Sequence, residues 1–172
     1  MSFSLVLRCA FAALALTWLS ACGGAAFRNG VYSDDHTRYR VGALPADWHP
    51  VTADGNDLAF HRDGMGTIAV NSTCTEYDDV PLSALVNHLL FDTTQRKVLV
   101  EETVTLVGRG ARHLLVNLEL DGVPVQLELY VVRKDGCVFD LSHVRTRSAS
   151  PAAHETFAAF VKRFDVLEVT RP

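Results

Sequence analysis

Polar and apolar positions along this chain follow two rhythms. Residues 98–107 (VLVEETVTLV), 111–120 (ARHLLVNLEL), 123–133 (VPVQLELYVVR) and 137–145 (CVFDLSHVR) alternate with a period near two. Successive side chains of a strand point to opposite sheet faces, so each run predicts a strand. The connections are Gly108-Arg109-Gly110, Asp121-Gly122 and Lys134-Asp135-Gly136. Asp-Gly pairs favour tight turns because both residues accept positive φ. Four consecutive runs with short connections predict an antiparallel meander. Earlier in the chain, residues 57–62 (DLAFHR) and 66–71 (GTIAVN) predict a hairpin across Asp63-Gly64-Met65. Residues 31–33 and 39–41 predict a smaller one across Ser33-Asp34-Asp35-His36.

The second rhythm is helical. Leu82, Leu85, Val86, Leu89 and Leu90 recur at i, i+3, i+4, i+7 and i+8, a single buried stripe, with Asp79 as N-cap and Pro81 in the first turn. Ser150-Pro151 opens a second helix with Ala153, Phe157, Phe160, Val161 and Phe164 on one side. Three phenylalanines on one stripe read as core packing rather than as a cofactor site. Lys162 and Arg163 near its end suit the helix dipole. The order is hairpin, two strands, helix, four strands, helix. That is an α+β domain: an antiparallel sheet with two main helices packed against it.

The N-terminus follows neither rhythm. A basic start (Arg8) leads into the apolar run CAFAALALTWL at residues 9–19 and then into small residues. That is the layout of an export signal. Leu19-Ser20-Ala21-Cys22 resembles the lipobox of bacterial lipoproteins. The resemblance implies cleavage before Cys22, a diacylglyceryl group on its thiol and an acylated new N-terminus. Two or three chains anchor firmly where one is marginal. The alternatives are an ordinary secreted protein cut near Ala21, or an uncleaved anchor. Gly23 rather than Asp follows the cysteine, which by resemblance to enteric-type sorting favours the outer membrane. The expected organisation is a lipoprotein signal at 1–21, a short tether at 22–29 and one domain at 30–172.

Length and composition agree with one domain: 172 residues, 48% of them hydrophobic and 21% charged. The formal charge of −4 leaves no excess of cations for a nucleic acid. Losing Arg8 with the signal leaves fifteen basic against twenty acidic side chains, near −5. Such a domain is expected to offer nothing to anionic lipid headgroups. Of four cysteines, Cys9 leaves with the signal and Cys22 takes the lipid. Cys74 and Cys137 remain. In an oxidising compartment they pair, with two buried free thiols as the alternative.

A second resemblance is to the Mog1/PsbP-like fold. It rests on the order of elements, on Tyr39-Arg40-Val41 followed by Pro45 and Trp48, and on the final Phe-rich helix. It covers most of residues 30–170 at the level of pattern. It implies a sandwich of sheet and helices, and a protein that binds or stabilises other proteins. Photosystem accessory proteins, a nuclear-transport factor and bacterial lipoproteins of the DcrB kind belong to that group. Fold does not dictate function.

Catalytic signatures are missing from the sequence. There is no G-x-S-x-G, no P-loop and no dinucleotide fingerprint. The seven histidines, His36, His49, His61, His88, His113, His143 and His154, form no HxH, HxxxH or HExxH pair. No metal or cofactor is expected. Asp34-Asp35-His36 reads as a solvated turn. His113 and His143 are placed to share a sheet face. Glu101 and Glu102 point to opposite faces. Trp48 reads as a lid over one end of the core, or else as a partner-facing aromatic. The expected function is a lipid-anchored, extracytoplasmic, non-enzymatic accessory protein of the bacterial envelope that engages a protein partner. The alternative is a carrier for a lipid or small apolar ligand, and an enzyme is the weakest reading.

Overall fold

The structure, a computed structural model, describes residues 24–74 and 80–170. The signal, the lipobox with Cys22, and the expected N-cap Asp79 lie outside the described residues. Six short strands come first: β1 (Ala26–Arg28), β2 (Val31–Ser33), β3 (Thr37–Arg40), β4 (His49–Pro50), β5 (Leu58–Arg62) and β6 (Gly66–Thr73). Helix α1 (Leu82–Leu89) precedes the long strands β7 (Thr93–Leu106), β8 (Arg109–Leu120), β9 (Val123–Lys134) and β10 (Cys137–Arg145). Helix α2 (Pro151–Lys162) and β11 (Asp165–Val169) complete the order.

The meander forms as expected and extends through β6 and β5 into a seven-stranded antiparallel sheet of order β4-β5-β6-β10-β9-β8-β7. The other strands make a separate four-stranded sheet, β1-β2-β3-β11. Two of its members escape the pattern. β1 occupies the last residues of the expected tether and pairs with β2. β11 follows the second helix directly and closes against β3, far away in sequence. Three residues and five residues are too few for periodicity to register.

Turn chemistry sets the hairpins. Asp121-Gly122 and Asp135-Gly136 both take positive φ at each position, as the twist of a two-residue hairpin requires. The β7–β8 turn differs from expectation. It lies at Val107-Gly108, with Val107 at φ 47°, one residue earlier than Gly108-Arg109-Gly110 suggested. Gly42 serves another purpose: a Cβ there would lie 2.6 Å from Cα of Phe160, so only glycine lets this loop touch α2.

The large sheet buries both faces. On one face Ile68, Val70, Phe139 and Leu141 pack with Phe157 and Phe160 of α2 and with Tyr39 and Phe164. The stripe expected for α2 is buried throughout, and Ser150 caps the helix by accepting from the Ala152 amide. On the opposite face Leu114, Val116, Leu127, Leu129 and Val138 pack under Val86 and Leu90 of α1. Here the expected stripe is only partly buried, and Pro81 occupies the N-cap position rather than the first turn. Cys74, just after β6, and Cys137, at the start of β10, are joined by a disulfide, as the pairing of Thr73 with Val138 allows.

Candidate functional site

Lengths decide what the face under α1 looks like. Eight helical residues span only about 12 Å, whereas a twelve-residue strand spans about 40 Å. The helix therefore leaves apolar floor uncovered on either side. On one side a cleft of about 470 Å³ lies between Ala84, Leu85 and His88 of α1 and Asn71, Val138 and Asp140 of the sheet. On the other, a cleft of about 210 Å³ is floored by Leu118, Leu127, Leu129 and Val144. Leu89 and Asp140 border both. Exposed apolar side chains lie here too: Leu89, 42% exposed, and Leu120, 39%, line the second cleft, while Phe91, 77%, follows Leu89 by two residues and Val123, 57%, pairs with Leu120. Leu120 pairs with Thr93 on one side and with Val123 on the other, so the last two sit together at one end of the sheet.

Arginines fix α1 over this floor. Nη2 of Arg133 donates to the Val80 carbonyl at 2.6 Å, just before the helix. After it, Nη2 of Arg96 donates to the carbonyls of Leu90 and Phe91, while Thr93 Oγ1 donates to Leu90. The cleft carries one carboxyl. Asp140 lies on β10, and Nδ2 of Asn71 donates to it at 3.3 Å. Burial pushes its pKa up to about 6. It can hold a proton in mild acid, or meet a cation or hydrogen-bond donor brought in with apolar groups.

A different arrangement occupies the face under α2. His113 of β8, Glu128 of β9 and His143 of β10 share that face, as the sequence suggested for the two histidines. Glu128 is fully buried. One carboxylate oxygen lies 3.2 Å from Nε2 of His113; the other lies 3.1 Å from Nη1 of Arg145 and 2.8 Å from Nδ1 of His154. Burial opposes its charge, but the hydrogen bonds from His113 and His154 and the attraction of His154 and Arg145 hold its pKa at about 2. Burial also opposes charge on His113, whose hydrogen bonds to Glu128 and Glu102 outweigh it and raise its pKa. Nε2 of His143 donates to the Met65 carbonyl at 2.8 Å, and Nδ1 accepts from Arg145. Burial brings His143 down to about 4.

Glu128 is thus a charge counterbalanced inside the fold, with both oxygens engaged. It is no proton carrier near neutral pH. Neither it nor Arg145 was singled out from the sequence. For Arg145 a signal existed, since alternation in CVFDLSHVR groups it with Cys137, Phe139 and Leu141, whereas in VPVQLELYVVR Glu128 falls with Gln126 on the side that reads as solvent-facing. Residue spacing alone does not show that three strands bring them together.

The other candidates are dispersed. The amides of His36 and Thr37 donate to Asp34, which makes the acidic cluster a hydrogen-bonded turn. His49 and His88 are exposed, and His61 sits beside Thr67 and Asp63. Among the described residues no group of three His, Cys, Asp or Glu is placed to hold a metal ion. Glu101 pairs with Arg112 and Glu102 with His113, on opposite faces. Trp48 is buried against the His143 ring, a lid over the core rather than a partner-facing aromatic. Ser72 Oγ donates to Asp57 at 2.6 Å, and Tyr39 OH donates to the same oxygen, tying the small sheet to the large one. Among the described residues no helix is long and apolar enough to cross a membrane.

Solved structures share this fold at low sequence identity. Cyanobacterial PsbP (CyanoP) from Synechocystis sp. PCC 6803 superposes with a TM-score of 0.58 at 15% identity, over 87% of this chain and 99% of that one. LpqN, involved in cell envelope biogenesis of Mycobacterium tuberculosis, gives 0.55 at 12% identity, over 79% of this chain and 87% of that one. A Pseudomonas aeruginosa protein of unknown function, PA94, gives 0.51 at 12% identity, over 87% and 97%. No family model and no curated protein sequence matches the chain. These likenesses establish a PsbP-like α+β fold.

Proposed function

We propose that this chain is a lipid-anchored, non-enzymatic accessory protein of a bacterial cell envelope, which holds an apolar segment of a partner protein in the cleft beside α1. The lipobox Leu19-Ser20-Ala21-Cys22 supports the anchor, and Gly23 supports the outer membrane. The observation that carries the binding role is that exposed Leu89 and Leu120 line the apolar cleft, with exposed Val123 paired to Leu120 and exposed Phe91 two residues after Leu89. Scattered exposed apolar residues are ordinary, but a contiguous set running into a cleft marks a contact surface. The engaged oxygens of Glu128 support the non-enzymatic reading. A photo-crosslinking side chain at Phe91, in the envelope of the producing cell, tests the binding role. A discrete protein adduct at Phe91, missing when the same side chain replaces Arg38, is expected. Equal, diffuse labelling at both positions overturns the reading.

One observation favours a second reading. Clefts of about 470 and 210 Å³ on either side of a short helix approach the size of small-molecule sites. The cleft would then carry a lipid or another small apolar ligand. The same adducts separate the two, because a lipid adds a small, defined mass instead of a polypeptide.

A further inference from the structure

On the small sheet, Arg38 and Arg40 of β3 lie opposite Glu168 and Asp165 of β11, and further cations gather beyond that strand pair. Tyr32 and Tyr39 point into the core, so Arg38 and Arg40 on β3 point outward. Arg28 pairs with Val31, and Val31 with Arg40, which puts Arg28 and Arg40 in one row on that face. Beside this row lies an open depression of about 770 Å³, bordered by Arg40 and by Lys162 and Arg163 from the end of α2. All three cations are exposed, and none has an ion pair among the described residues, whereas Arg62, Arg109, Arg112 and Arg145 each have a carboxylate partner. One carboxylate, Asp165, lies across from Arg40 in the β3–β11 pair and borders the depression with them, which leaves three cations to one anion. Apart from Asn29 its remaining wall is apolar, with Phe27 and Leu44 among the lining side chains.

Chain connectivity places this depression next to the anchor. Phe27 lies five residues after Cys22, and five extended residues reach at most roughly 17 Å. A lipid on Cys22 therefore enters the bilayer close to the depression. Screening confines charge effects to about 10 Å, so the local cations, not the net charge of the domain, meet the headgroups.

We propose that the depression bordered by Arg40, Lys162 and Arg163 docks on the anionic phospholipid surface of the membrane that holds the chain. Phosphates meet the cations, and the apolar wall faces the upper acyl region. This orientation rests on the lipid-anchor reading. It turns the cleft beside α1, on the opposite face of the large sheet, away from the membrane and toward a partner.

The test uses the full chain, purified from membranes and reconstituted into phosphatidylcholine vesicles with or without phosphatidylglycerol. Backbone hydrogen exchange is read at residues 42–46 and 162–165, with the remote turn at Asp121-Gly122 as internal reference. Docking predicts exchange slowed roughly threefold or more on phosphatidylglycerol, at low salt only, with the reference unchanged. The variant R40E/K162E/R163E, checked for an unchanged melting temperature, is expected to lose that slowing. R40Q/K162Q/R163Q serves in its place if the reversal unfolds the chain. Equal exchange on both vesicles, or slowing that persists in the variant, overturns the proposal. Intact mass reports Cys22 separately. Lipidated chain without phosphatidylglycerol dependence rejects docking alone, and unlipidated chain that keeps the dependence rejects the anchor alone.

Discussion

Nε2 of His143, on β10, donates a hydrogen bond to the carbonyl of Met65, in the turn between β5 and β6. Burial, helped by the Arg145 guanidinium at the other nitrogen, keeps the ring neutral, although the bond to Met65 favours the charged form. Burial lowers its pKa from the usual 6.5 to about 4.

A histidine held neutral makes stability fall with acid. Below pH 6.5 the unfolded chain takes up a proton that the folded chain refuses until about pH 4. The full difference corresponds to roughly 3 kcal/mol. Melting temperatures of the native chain and of His143→Gln, followed from pH 7 to 4, measure it. The variant keeps a side-chain donor and should lose less stability over that interval. Parallel curves would reject the assignment.

Glu128→Gln should cost about 3–5 kcal/mol, because it leaves the buried Arg145 guanidinium without its counter-charge. Replacing both by apolar residues, Glu128→Leu with Arg145→Met, should cost less than the single change, since no charge is then stranded. Urea denaturation of both variants at pH 7 decides the order. The native carboxylate contributes fully above its ordinary pKa, and that contribution fades as pH falls toward about 2.

Asp140 has the opposite sign. Its folded pKa of about 6 exceeds the usual 3.8, so the folded state binds the extra proton and an ionised Asp140 destabilises at neutral pH. Water reaching it through the cleft limits the effect to about 1–2 kcal/mol. Asp140→Asn should therefore stabilise by that amount at pH 7 and by nothing below pH 4. Denaturation midpoints at the two pH values provide the check. A gain of equal size at both would point to packing instead of charge.

The Cys74–Cys137 bond closes a separation of 63 residues. Removing it in Cys74→Ala with Cys137→Ala should cost roughly 4 kcal/mol through the unfolded chain's regained freedom. Thermal denaturation of native and doubly substituted chains measures the loss. Identical midpoints would mean that the pair adds nothing to stability.

Much of the large sheet was legible in advance because its strands are long and its turns carry Asp-Gly. Alternation over nine or more residues defines a strand without help from its neighbours. The Phe stripe of α2 was equally plain. α1 was legible as a helix but not as a partial cover. Leu85 and Leu89 continue its apolar stripe, and only the size of the sheet beneath determines which of them finds a partner.

By itself the sequence determined the local conformations: the alternating strands, the two helices, the hairpin turns and the separation of Cys74 from Cys137. These depend on side-chain direction and backbone preference over a few residues. Tertiary structure alone decided the split into two sheets, since β1 and β11 are stabilised by distant partners rather than by their own pattern. It decided the closure of charge around Glu128, where residues from three strands and a helix meet. It also decided the clefts beside α1 and the basic rim near Phe27. Burial, free surface and local charge depend on how much area one element covers of another, and that quantity exists only once the chain has packed.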